Sequence, residues 1–61
     1  MQVDTQDYLK KALLDSQEKV RDYMTYSERI EDDEISSFFR EYAEEEAFQA
    51  RQIQDFIRIL Q

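Results

Sequence analysis

The 61 residues include no glycine, no proline, no cysteine, no histidine and no tryptophan. Each absence removes a class of structure or chemistry. Without Gly and Pro, the usual punctuation of hairpins and loops is missing, and a strand-rich fold loses its turns. Without Cys there is neither a disulfide framework nor a thiolate zinc site. Without His there is no imidazole ligand and no Cys/His or Ser/His nucleophile pair. No catalytic constellation is therefore expected. No apolar run approaches the ~20 residues that span a bilayer, and no signal-peptide pattern opens the sequence. Eight Lys and Arg stand against fifteen Asp and Glu, a net charge of −7. That charge disfavours phosphate backbones and anionic lipid as partners, so neither nucleic acid nor membrane is expected. Lack of cysteine also fits a reducing compartment, and a soluble, acidic, cytoplasmic protein is the expectation.

What is present favours helix. Glu, Gln, Ala, Leu, Lys and Arg dominate, all strong helix formers. The first start signal is Asp4, with Asp7 at the third helical position as a variant of the capping box. Val3 and Tyr8 stand where a hydrophobic staple would pack. From there Leu9, Leu13, Ser16, Val20, Tyr23, Ser27 and Ile30 keep spacings of three and four. The run Glu31-Asp32-Asp33-Glu34 breaks the pattern. Asp32 or Asp33 can cap a second helix, and the carboxylates suit the positive dipole end of its first turn. A second stripe follows at Ile35, Phe39, Tyr42, Glu46, Gln49, Ile53, Phe56 and Leu60, flanked by Phe38, Ala43, Ala50 and Ile57. The spacing predicts an all-α antiparallel hairpin, with helices over about residues 5–30 and 34–60, forming a single domain across 1–61.

A chain of this size buries little of its own surface and usually needs a disulfide, a metal or another chain. Only the last remains open through ordinary side chains. The large residues of the second helix spread over about 100° of its circumference, wider than one partner helix covers. Two neighbours per helix would cover them, as in a four-helix bundle, and a homodimer of hairpins supplies that environment. The other occupant such a face admits is a larger protein of different sequence.

Lys11-Ala12-Leu13, Val20, Tyr23, Asp32 at the turn, Ile35, Phe39 and the run Ala43-Glu44-Glu45-Glu46-Ala47-Phe48-Gln49 share a joint spacing. Over Lys11 to Leu60 this spacing resembles the helix pair that carries half of the metal site in rubrerythrin-like, ferritin-like proteins. In that family a Glu from the first helix and a Glu-x-x-His from the second point into the bundle and hold a di-iron or di-manganese centre. The resemblance places Glu46 on the Glu of Glu-x-x-His, Gln49 on its histidine, and Ser16 on the first-helix Glu. One ligand of three remains. At ~100° per residue, Asp15 and Glu18 lie about 140° and 160° from Val20, so neither carboxylate replaces the ligand lost at Ser16.

The resemblance thus implies a ferritin-like four-helix bundle whose metal centre is degenerate. The interface and core residues expected are Leu9, Leu13, Ser16, Val20, Tyr23, Ile30, Ile35, Phe39, Tyr42, Gln49, Ile53, Phe56 and Leu60. Glu46 and Gln49 are expected to form a polar layer with Ser16 and Ser27, which fixes register at some expense of stability. A structural or protein-interaction role without a cofactor follows. The alternative is iron or manganese binding through an oxygen-ligand site between subunits, with Glu46 as ligand and Gln49 as a weak second.

Overall fold

The computed structural model describes residues 4–60 and consists of two helices, α1 (Thr5–Arg29) and α2 (Asp33–Leu60), packed side by side. The boundaries fall within a residue of the predicted ones. Val3, half of the expected staple, lies outside the described residues, and its intended partner Tyr8 is 67% exposed.

Three acidic side chains set the helix starts. The Asp7 backbone N–H donates to Asp4 Oδ1 at 2.9 Å, and the Asp4 N–H donates back to Asp7 Oδ2 at 3.5 Å, which closes the capping box. At α2 the cap is Asp32, whose Oδ1 accepts from the Ile35 N–H at 2.9 Å; Asp33 is already helical. Between the helices lie only Ile30, Glu31 and Asp32. Ile30 ends α1 in an extended conformation (φ −80°, ψ 125°), while its N–H still donates to the Tyr26 carbonyl at 3.0 Å. Leaving α1 through the β region, instead of the left-handed cap that favours glycine, lets a sequence without glycine reverse direction. No residue with a positive φ occurs among the described residues.

The pair measures 47 × 21 × 11 Å, a slab one helix thick. Its core is built from small residues. Ala43 (1% exposed), Ala50, Ser16 and Ser27 are buried, while Leu9, Leu13, Val20, Tyr23, Ile30, Phe39, Ile53 and Ile57 are half-buried around them. The α1 stripe therefore faces α2 as predicted. The α2 stripe does not coincide with the seam. The contact face follows Ser36, Ala43, Ala50 and Ile57, one residue on from the line Ile35, Tyr42, Gln49 and Phe56 that the large residues suggested. Within the chain Ile35, Tyr42, Gln49, Phe56 and Leu60 are exposed. The cause is steric: alanine and serine let two backbones approach closely enough for Tyr23 and Phe39 to wrap the seam from its edge. A line of Tyr and Phe between the helices would hold them apart.

Candidate functional site

Two features of the slab stand apart from ordinary hairpin packing: a polar group in the middle of the seam, and an uncovered apolar face beside it. The polar group is Glu46, on α2 at the level of Ser16 on α1. The Ser16 hydroxyl donates to Glu46 Oε2 at 3.3 Å, and the Lys19 ammonium stands 4.0 Å from Oε1. The Glu46 side chain is only 15% exposed, whereas that of Lys19 is 55% exposed. Both contacts are long for charge-assisted bonds, so the carboxylate, with about four acceptor positions, retains capacity for further donors. Lys19 had no assigned role in the sequence pattern. Its position three residues after Ser16 puts it on the same edge of α1, which is the signal that could have found it.

Ser27 takes no part in this layer. It is 4% exposed and donates to the Met24 carbonyl at 2.8 Å, while its own carbonyl accepts from the Ser36 hydroxyl across the seam. The expected serine network is thus two separate cross-links between the helices, one at mid-length and one near the turn. Gln49 lies one turn beyond Glu46 and is exposed; it joins Tyr42, Glu45 and Glu46 around a shallow depression on the slab surface. The resemblance put Ser16, Glu46 and Gln49 at ligand positions. The fold brings Ser16 and Glu46 together and leaves Gln49 on the rim. Among the described residues, no group of three or more Asp or Glu side chains converges as a metal site would require.

The apolar face begins where the depression ends. Toward the turn, Tyr23 packs edge-on against Tyr42, with ring centroids 4.7 Å apart, and lies 5.6 Å from Phe39. Phe38 contacts both Phe39 and Tyr42, and Tyr26 stands edge-on to Phe39 at 5.6 Å. The offset and edge-to-face geometry is the favourable one for rings. Yet this cluster is half open: Phe38 is 57% exposed and Tyr26 45%. Beyond the depression the same face continues through Phe56 and Leu60, also more than half exposed. At ~100° per residue, this second face is centred about 90° round α2 from the seam. No described helix is long and apolar enough to cross a membrane.

Comparison with protein-family models, curated proteins and solved structures finds no match to this chain.

Proposed function

We propose that this protein is a self-associating helical module with a structural or protein-interaction role, in which two hairpins join through the apolar face of α2 into a four-helix bundle. The observation that carries the reading is that face. Its angle to the seam, about 90°, is the angle between two neighbours in a square bundle. Its spacing supports the same packing: Ile35, Tyr42, Gln49 and Phe56 recur every seven residues, the repeat of supercoiled helices.

Area supports it as well. The chain exposes 5151 Å². A compact monomer of its 7.5 kDa mass exposes about 4,250 Å². The excess of about 900 Å² reflects the open slab, one helix thick, whose flat faces leave room for a second hairpin. A contiguous exposed face of Phe, Tyr, Ile and Leu is the kind of surface that marks an interaction site.

A metal-free interior is part of the proposal. The Lys19 ammonium beside Glu46 supplies the positive charge that a cation would otherwise bring. Protein purified without chelator is expected to contain no stoichiometric iron, manganese or zinc; half an equivalent per chain by elemental analysis would favour the oxygen-ligand site instead. Sedimentation equilibrium tests the association itself. The expected mass is twice that of the chain, and Phe56→Ser is expected to weaken association at least tenfold while helicity by circular dichroism is retained. A parent protein that sediments at the single-chain mass at 100 μM overturns the reading.

A further inference from the structure

The apolar face of α2 carries an arrangement that reads the same in both directions. Counted from a point between Ala47 and Phe48, Ile35 mirrors Leu60, Phe38 mirrors Ile57, Phe39 mirrors Phe56, Tyr42 mirrors Ile53 and Glu46 mirrors Gln49. Apolar residues reflect onto apolar ones, and the acceptor-only carboxylate reflects onto the side chain that carries an N–H donor. All ten also lie within about 50° of one line along the helix surface. At ~100° per residue, that line lies about 90° round from Ala43, the centre of the seam. The mirror line therefore runs beside the seam: Ile35, Phe38, Tyr42, Gln49, Phe56 and Leu60 are exposed along it, while Phe39, Glu46, Ile53 and Ile57 are half-buried on its side nearer α1.

We infer that the second copy docks with its α2 antiparallel to this α2, about a two-fold axis passing between Ala47 and Phe48, so that Glu46 of each chain accepts from the partner's Gln49. This rests on the self-association proposed above and adds to it an orientation and a register. A two-fold interface is self-complementary, with residue i meeting j and j meeting i, and the mirrored pattern meets that condition at every level of the face. The depression lined by Tyr42, Glu45, Glu46 and Gln49 sits at the axis, where two copies of the polar pair would meet. Glu46 enters with acceptor positions unused by Ser16 and Lys19, and the exposed Gln49 amide supplies the donor. A parallel pairing sets each Glu46 against the partner's Glu46, so that two carboxylates share one apolar surrounding without a donor between them. The polar layer thereby selects direction as well as register.

The absence of native cysteine makes cross-linking a clean test. Ile35 and Leu60 are 48% and 55% exposed, so Ile35→Cys and Leu60→Cys leave the hairpin seam untouched. In the antiparallel pair the two Ile35 positions are separated by about 38 Å along the helix, at ~1.5 Å per residue, while Ile35 lies opposite the partner's position 60. A disulfide needs Cα atoms within about 7 Å. The two variants are mixed, one of them carrying a size tag, and oxidised under mild conditions. The expected product is the mixed disulfide, with neither variant forming a disulfide with itself at equal concentration. If each variant links to itself and the mixture does not, the pairing is parallel; the inference fails while self-association stands. If no disulfide forms and sedimentation still gives a dimer, the interface lies on another face and the inference fails. If no disulfide forms and the chain sediments as a monomer, both the inference and the reading beneath it fail.

Discussion

Replacing Ala43 with leucine tests the seam most directly, because the two stripes on α2 assign that position opposite roles. If the line of large residues faced α1, Ala43 would lie at a margin, where leucine adds apolar surface at no steric cost. In the structure Ala43 is 1% exposed and faces α1 between the level of the Ser16–Glu46 bond and that of the Tyr23–Phe39 contact. Three added carbons have nowhere to go without pushing the helices apart. Overpacking of this kind costs about 1–3 kcal/mol. Separation also lengthens the Ser16–Glu46 bond, already 3.3 Å, and the Ser36–Ser27 bond nearer the turn. With an m-value near ~1 kcal/mol/M for so small a protein, the urea midpoint is expected to fall by about 1–3 M at fixed protein concentration. Far-ultraviolet circular dichroism follows the transition. Glu44→Leu, one residue on and exposed, controls for the substitution itself and is expected to shift stability by under ~0.5 kcal/mol. An Ala43→Leu midpoint equal to or above that of the parent refutes the small-residue seam.

Asp32→Ala is expected to cost about 1 kcal/mol through loss of the bond from the Ile35 N–H, with Asp32→Asn recovering most of it in the same urea titration. Ser36→Ala removes the hydroxyl that donates to the Ser27 carbonyl across the seam, and a loss of about 1 kcal/mol is expected; an unchanged midpoint would show that the cross-link contributes nothing. Each chain carries −7, so the proposed pairing would concentrate like charge. Raising salt from 20 to 200 mM is expected to tighten association, read as a lower dissociation constant by sedimentation, because the Debye length falls from over 20 Å to below 10 Å.

The two helices, the acidic turn and both acidic N-caps were legible in the sequence, because each depends on residues near one another in the chain. A carboxylate at Asp4 or Asp32 reaches an N–H three residues on whatever the rest of the molecule does. The α1 stripe was legible too, since its small and large members fall on one line. The α2 seam lies one residue from the line of large residues because apolar bulk alone does not mark burial. A close helix pair inverts that mark: Ala43 and Ala50 go inside because they are small, and the neighbouring Tyr42 is left at the edge. Glu46 stood out as a polar residue within an apolar stripe, but Lys19 beside it did not, because the two meet across 27 residues of chain.

What the sequence determines by itself is the secondary structure and the charge. Strong helix formers without Gly or Pro can do little else, and −7 is a matter of counting. Which face of α2 turns toward α1 was decided by the tertiary fold alone. Two apolar faces one residue apart compete for a single partner helix, and the choice depends on how closely two backbones can approach. That distance belongs to the pair of helices and to neither one. Once the smaller residues take the seam, Phe38, Phe56 and Leu60 are left outside it, and the surface on which the proposed self-association rests comes into being.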